Sequence, residues 1–130
     1  MKYFKLRLFL LLLAMPIVAA GCRTAPIYNV YEVPVITTHT VKLDEIKKAI
    51  IRAGASLGWE MKPVSPGHII GTLHLRSHTA VVDVTYNPQT YSIVYKDSVN
   101  LKYSGGQIHR NYNGWIQNLD RNIKAQLGML

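Results

Sequence analysis

The segment 68-HIIGTLHLRSHTAVVDVTYNPQTYSIVYK-96, in the second half of a chain of 130 residues, carries the main strand pattern of the sequence. Apolar and polar residues alternate in three successive runs, at 68–76, 79–86 and 91–96. Alternation with period two is typical of a strand that buries one face and exposes the other. The stretch therefore predicts three strands of one sheet.

The connections between these runs are short and rich in turn residues. Ser77 lies in a tight connection, and NPQT at 87–90 places proline second, as a type I turn prefers. A fourth run, WEMKPV at 59–64, precedes the stretch and is joined to it by SPG at 65–67. Four strands joined in this way form an antiparallel meander with one buried face.

A helical pattern precedes the meander, in TVKLDEIKKAIIRAGASLGW at 40–59. Asp44 and Glu45 lie in the first turn, where they favour the helix dipole, and Gly58 is placed to end the helix. The apolar residues recur at helical spacing on one face. They are Leu43, Ile46, Ile50, Ala53 and Leu57. This pattern predicts a core helix.

A second helical pattern closes the chain, in IHRNYNGWIQNLDRNIKAQL at 108–127. Gly114 weakens it by roughly 1 kcal/mol relative to alanine. Its apolar stripe consists of Tyr112, Ile116, Leu119, Ile123 and Leu127. VITT at 35–38 is a candidate leading strand, and 99–103 is a candidate short strand. The order is (β)-α-β-β-β-β-α, an α+β domain in which a four-stranded meander carries two amphipathic helices on one face.

The first 21 residues have the pattern of an export signal. Three basic residues precede an apolar run from Leu8 to Ala20, and small residues end it. The run is too short to span a hydrocarbon core of roughly 30 Å, and Pro16 interrupts any helix in it. We therefore expect residues 1–21 to be removed.

The chain's one cysteine, Cys22, directly follows this segment. The sequence AAGC at 19–22 resembles the lipobox of bacterial lipoproteins, although Ala19 stands where that pattern prefers Leu, Val or Ile. The resemblance implies that the Cys22 thiol is acylated, that Cys22 becomes the N-terminus and that three acyl chains anchor it. Arg23, in place of the Asp that retains enteric lipoproteins in the inner membrane, is compatible with the outer membrane. The alternative is ordinary cleavage after Ala20, which gives a periplasmic protein with a free thiol.

The remaining 109 residues suffice for one domain. RTAPIYNVYEVP at 23–34 has two prolines and no helical period, so we expect 22–34 to be an extended tether and 35–130 the domain. Three of the fifteen Lys and Arg residues lie in the leader, which leaves twelve against seven acidic residues, a net charge of +5. The twelve are scattered along the sequence. They indicate either anionic lipid headgroups and envelope polymers as partners, or solubility alone; nucleic acid is not expected.

Four motifs resemble a group of small proteobacterial lipoproteins of unknown function. They are AIIRAGASLGWEM, PGHIIGTL…RSHTAVVDVTY, YSIVYKDSVNLKY and IHRNYNGWIQNL. The resemblance covers about residues 40–127 and implies the same α+β domain. It implies no catalytic residue.

Two patterns of reactive residues do not predict a metal or catalytic site. His68 and His74 share a strand face but lie six residues apart, about 20 Å, so no three ligands converge on a metal. Ser98 has no nucleophile elbow around it that would make a triad with Asp97 and His109, and turn capping explains the Asp-Ser pair better. We expect no enzyme, metal or cofactor.

An aromatic and amide cluster is the candidate binding site. Tyrosine and tryptophan rings beside amides suit recognition of a ligand or protein. The alternative is that the tyrosines belong to the core and the amides cap the helix and loop. The candidate residues are Tyr95, Asn100, Tyr103, His109, Asn113 and Trp115, with Tyr112 beside them.

The sequence thus predicts a lipid-anchored, non-enzymatic outer-membrane lipoprotein whose periplasm-facing domain binds another envelope component, such as a protein. The second possibility is a module that binds a small molecule or an envelope glycan. A concave aromatic pocket would favour the module, and an exposed patch or open strand edge would favour the adaptor.

Overall fold

The computed structural model describes residues 23–130, which form two helices and two antiparallel sheets. The α+β class expected from the sequence is confirmed. The elements in chain order are β1 (Thr24–Pro26), β2 (Val30–Pro34), α1 (Leu43–Ser56), β3 (Glu60–Ser65), β4 (His68–Leu75), β5 (His78–Tyr86), β6 (Thr90–Val99), β7 (Gln107–His109) and α2 (Arg110–Leu127).

The main sheet has five strands in the order β2-β6-β5-β4-β3. Its β3–β6 portion is the predicted meander, and β4 and β5 pair without interruption from His68↔Thr85 to Leu75↔His78. The expectation of a four-stranded sheet is corrected by β2, which adds a fifth strand beside β6. A separate two-stranded sheet joins β1 to β7.

The expected tether over 22–34 is wrong for most of its length. Thr24 pairs with His109 in β1–β7, and Val30 pairs with Ile93 in β2–β6. The predicted strand at 35–38 is also displaced, because pairing with β6 ends at Pro34. A register shift between Val30 and Val33, with Glu32 at φ 47°, separates the two apolar residues by three positions. This shift hides the strand from a search for period two.

The end of β6 differs from the expected strand at 99–103. β6 ends at Val99, and Asn100 (φ 57°) and Lys102 (φ 54°) turn the chain through left-handed conformations. Pairing resumes in β7, which runs directly into α2. The chain therefore reverses toward β1 before the last helix begins.

Both helices pack on one face of the main sheet, as predicted. The five predicted stripe residues of α2 are all buried, and Gly114 does not interrupt the helix. In α1, Ile46, Ala49, Ile50 and Ala53 are fully buried, whereas Leu57 lies beyond the helix and is 39% exposed. Gly58, at φ 86°, ends α1 as expected.

Close approach of α1 to the sheet depends on two glycines that flank the Met61 side chain. A Cβ on Gly54 would overlap Met61, and a Cβ on Gly71 would lie 3.2 Å from the Met61 sulfur. The buried sheet face contributes Ile69, Leu73, Ala80, Val82, Val84, Tyr86, Tyr91 and Ile93 to the same core. A single core thus lies between the helices and the sheet.

Both edges of the main sheet are poorly suited to pairing with another strand. On β2, the register shift interrupts the edge and Pro34 ends it. On β3, Pro63 lacks an N–H donor and a register shift follows it before Ser65. Proline and bulges at sheet edges are common protections against edge-to-edge association.

Candidate interaction surfaces

The structure brings the candidate binding residues to the end of the domain where β6 ends and α2 begins. His109 is the last residue of β7 and the N-cap of α2, and its backbone N–H donates to the Leu101 carbonyl at 2.8 Å. The Asn100 side chain donates to Ser77 in the turn between β4 and β5, at 2.8 Å. The Arg110 N–H donates to the Arg23 carbonyl at 3.0 Å. We call this end, formed by Arg23, the β4–β5 turn, residues 100–106 and the start of α2, the Arg23 end.

Three tyrosines form one group of rings at the Arg23 end. Tyr95 stacks on Tyr103 with centroids 4.3 Å apart and meets the edge of Tyr112 at 5.8 Å. The Tyr95 hydroxyl and Ser98 Oγ are 2.9 Å apart, and burial raises the pKa of Tyr95. Tyr112 is fully buried, whereas Tyr103 is 49% exposed. The Tyr103 ring therefore covers the partly buried Tyr95 and exposes its outer side to the surroundings.

A second group contains His78, His109 and Trp115. The His78 ring lies 6.1 Å from that of His109 and 6.3 Å from that of Trp115. Both histidines also bind backbone: His78 Nδ1 is 2.7 Å from the Asn100 carbonyl oxygen, and His109 Nδ1 accepts from the Asn111 N–H at the start of α2. These rings help to fix the loop and the helix start.

The two candidate amide side chains, Asn100 and Asn113, form hydrogen bonds within the chain. Asn113 Oδ1 accepts from the Tyr28 N–H and its Nδ2 donates to the Pro26 carbonyl, both at 2.9 Å. Asn100 occupies a left-handed turn position and binds Ser77. Asn113 therefore ties α2 to the N-terminal segment and Asn100 ties two turns together, whereas the side chain that caps α2 is that of His109.

The reactive side chains weighed from the sequence all have local partners. Asp97 Oδ1 accepts from the Ser98 N–H at 2.8 Å, and Ser98 Oγ is near Tyr95 rather than a histidine nitrogen. His68 Nε2 is 2.6 Å from Asp83 Oδ1, on the sheet face away from the helices. Within residues 23–130, no three His, Cys, Asp or Glu side chains are grouped to hold a metal ion. Cys22 lies outside the described residues.

Basic residues converge at the Arg23 end, which no pattern in the sequence predicts. Arg23, Arg76, Lys102 and Arg110 are all exposed there, and none of the four takes part in an ion pair within residues 23–130. The four residues span 87 positions of the chain, and β1–β7 pairing brings Arg23 and Arg110 together. Only knowledge of that pairing could have revealed the group.

Two grooves lie near the opposite end of the domain, where α1 begins and α2 ends. One, of about 440 Å³, lies between the start of α1 and the β3–β4 turn and is lined by Leu43, Lys47, Val64 and Pro66 among others. The second, of about 380 Å³, is apolar except for Lys124. Its lining residues are Val33, Pro34, Ile36, Lys124, Leu127 and Gly128. Ile36 is 74% exposed, so this groove opens beside a large unprotected apolar side chain.

A buried polar group lies next to the second groove. The Tyr91 hydroxyl donates to Asp120 Oδ1 at 2.6 Å, and Lys124 Nζ pairs with Asp120 Oδ2 at 2.9 Å. Tyr91 is 1% exposed and Asp120 is 7% exposed. Both carboxyl oxygens are thus engaged, and Lys124 connects the buried group to the groove.

No described helix is long and apolar enough to cross a bilayer. In comparisons with protein-family models, curated proteins and solved structures, no match to this chain was found. Its function is therefore inferred from the chemistry of its own residues.

Proposed function

We propose that the chain is a bacterial outer-membrane lipoprotein, anchored by acyl chains on Cys22, whose domain binds another envelope protein without catalysing a reaction. The leader pattern, the AAGC sequence and the absence of a second cysteine support the anchor. The resemblance to small proteobacterial lipoproteins supports the same assignment.

The observation that carries the binding role is the exposed apolar groove beside Ile36. Ile36 is the most exposed of the large hydrophobic side chains within residues 23–130, and it borders a groove lined by Val33, Pro34 and Leu127. An exposed apolar side chain beside a preformed groove is typical of a protein-binding surface. Because both sheet edges are blocked, a partner would contact side chains rather than add a strand.

The position of this groove suits an adaptor. The groove lies at the end of α2, whereas Arg23 lies at its start, and 18 helical residues span about 27 Å. The proposed anchor and the proposed binding surface are therefore at opposite ends of the domain. A partner bound there would be held at a fixed distance from the membrane.

A small-molecule module is the second candidate, and the volume of the same groove favours it. Ligand sites commonly measure about 300–1,000 Å³ and are mostly apolar with a few polar groups. The groove, at about 380 Å³, has Lys124 as its charged residue. It would accept an apolar molecule that carries an anionic group.

The first test is the intact mass of the protein purified from membranes of an expressing bacterium. A mass equal to residues 22–130 plus acyl chains supports the anchor, and an unmodified chain that begins at Gly21 contradicts it. This measurement is independent of what the domain binds.

The second test places a photo-crosslinking side chain at Ile36 in the full-length protein in cells. Tyr31, 66% exposed on β2, is the matched control position. We expect a discrete protein adduct at position 36 only, and the identified partner should bind the purified wild-type protein but not Ile36→Asp. An adduct of low mass would favour the small-molecule module. Equal labelling at both positions would contradict the groove as a binding site.

A further inference from the structure

The net positive charge of the domain is concentrated at one end. No acidic residue occurs in the Arg23 end or in the residues that directly flank it, at 23–28, 73–79 and 98–116, whereas these three segments contain Arg23, Arg76, Lys102 and Arg110. The rest of residues 22–130 carries eight basic and seven acidic side chains. Four of the five net positive charges are therefore located at this end.

Exposed apolar side chains accompany these charges. Leu75 is 44% exposed at the end of β4, Val99 is 58% exposed at the end of β6, and Tyr103 is 49% exposed in the following loop. The register places Leu75 opposite His78 and Val99 opposite Thr79, so both border the β4–β5 turn. Basic residues mixed with exposed aliphatic and tyrosine side chains are typical of surfaces that contact the headgroup layer of a membrane.

Neither the fold nor the helix accounts for the basic residues. α2 has no acidic residue in its first turn and begins with Arg110, where the helix dipole favours a negative charge. Asp97, which directly precedes the segment 98–116, accepts from the N–H of its neighbour Ser98 on β6. An anionic group outside the protein would satisfy both the arginines and the helix start.

The position of Arg23 indicates what supplies that anionic group. Cys22 is the residue directly before Arg23 in the sequence. The Arg23 carbonyl is held by the Arg110 N–H, and β1 begins at the next residue. With acyl chains on Cys22, no tether would separate the lipid from this end of the domain.

We propose that the Arg23 end lies against the membrane surface, where Arg23, Arg76, Lys102 and Arg110 contact anionic lipid headgroups and Tyr103, Leu75 and Val99 enter the interfacial layer. This inference rests on the proposed anchor for its geometry. It assigns the ring cluster to lipid contact and leaves the Ile36 groove facing away from the membrane.

The test is the orientation of the domain on vesicles. The acylated protein is reconstituted into phosphatidylcholine vesicles with or without phosphatidylglycerol, and a fluorophore is attached to Ser104→Cys, beside Tyr103. Ser65→Cys, in an exposed strand at the opposite end, is the matched control. We expect a lipid-phase quencher to act on the label at 104 and not at 65, and more strongly when phosphatidylglycerol is present. Equal exposure of both labels to an aqueous quencher would overturn the proposal.

A charge variant separates headgroup contact from mere nearness to the anchor. Each basic residue near an anionic surface contributes about fivefold to binding, so Arg76→Gln/Lys102→Gln should reduce the equilibrium constant for the membrane-contacting orientation by about 25-fold. Lys48→Gln/Lys62→Gln removes the same charge from exposed positions elsewhere and should leave the quenching unchanged. Equal effects of the two double variants would contradict a specific lipid-facing end.

The intact mass distinguishes failure of the anchor from failure of this inference. If the purified chain carries no acyl groups, flotation with phosphatidylglycerol vesicles at low salt replaces the quenching measurement. Flotation that Arg76→Gln/Lys102→Gln weakens by about 25-fold would support the lipid-facing end without an anchor. No flotation would overturn it.

Discussion

Two core tyrosines should respond in opposite directions to the same substitution. Tyr91 is 1% exposed and donates its hydroxyl hydrogen bond to Asp120 at 2.6 Å. Tyr112 is 0% exposed, and its hydroxyl has no hydrogen-bond partner within residues 23–130. Replacement by phenylalanine removes one oxygen at each site and leaves the ring in place. The pair therefore isolates the hydroxyl from the packing of the ring.

The expected changes in the free energy of unfolding follow from those partners. A hydrogen bond to a charged group contributes about 1.5–3 kcal/mol, so Tyr91→Phe should destabilise the domain by about 2 kcal/mol. A buried polar group without a partner costs about 1–3 kcal/mol, so Tyr112→Phe should stabilise it by about 1 kcal/mol. The two variants should thus differ by about 3 kcal/mol.

Urea unfolding of the purified mature protein at neutral pH measures both values. Equal slopes with denaturant would show that the midpoints report stability rather than a change in compactness. If Tyr112→Phe destabilised the protein as much as Tyr91→Phe, the Tyr112 hydroxyl would have a hydrogen-bond partner in solution. The expected stabilisation by Tyr112→Phe would then be wrong. If neither variant changed the midpoint, the Tyr91–Asp120 hydrogen bond would not contribute to stability.

Three further expectations concern stability. Burial raises the pKa of both Tyr91 and Tyr112. The stability that depends on their protonated hydroxyls is therefore complete below about pH 10, the ordinary tyrosine value, and is lost as the pH rises above it. The double phenylalanine variant should flatten this decline in alkaline urea titrations. Asn113→Ala removes two hydrogen bonds to the N-terminal segment and should cost about 1–2 kcal/mol, with faster amide exchange at 24–30; unchanged exchange would show that β1 is held by other contacts. Gly67→Ala places a methyl group 2.7 Å from a backbone carbonyl oxygen, at φ 78°, and should destabilise the domain by more than about 1 kcal/mol. Gly114 has open space around it in a helix, so Gly114→Ala should stabilise the domain by up to about 1 kcal/mol. A melting temperature of Gly67→Ala at or above that of Gly114→Ala would contradict this expectation.

The elements that the sequence predicted well are those whose pairing is local. The meander follows from alternation within adjacent runs, and each strand finds its partner across a short turn. The helices follow from stripes that are continuous over 14 and 18 residues. In these elements, burial requires a regular period, and the period is visible without knowledge of the partner.

The first two strands could not be predicted in this way because their partners are distant in sequence. Thr24 pairs with His109, and Val33 pairs with Tyr91. β1 has three residues, too few to show a period, and the register shift in β2 removes the alternation that remains. The sequence predicts their extended backbone but not the pairing with β6 and β7 that orders it.

The candidate site was predicted in part for the same reason. Tyr95 does contact both Tyr103 and Tyr112, because the strand, loop and helix that carry them are close in sequence. The role of Asn113 was not predictable, since its partners lie 85 and 87 positions away. Arg76 and Lys102 lie near each other through the meander, where Asn100 binds Ser77, whereas Arg23 and Arg110 join them through the distant β1–β7 pairing.

The distant pairing of β1 and β2 also sets the order in which the domain can be completed. These strands leave the ribosome first, yet β6 and β7 follow some 60 to 80 residues later. At the usual speed of synthesis, about 5–20 residues per second, the wait lasts roughly 3–16 s. During that interval the main sheet has no edge to receive β2, so the chain stays open while it is being made. Within the described residues, the fold is therefore completed last at its N-terminal strands, when β6 and β7 become available to β2 and β1.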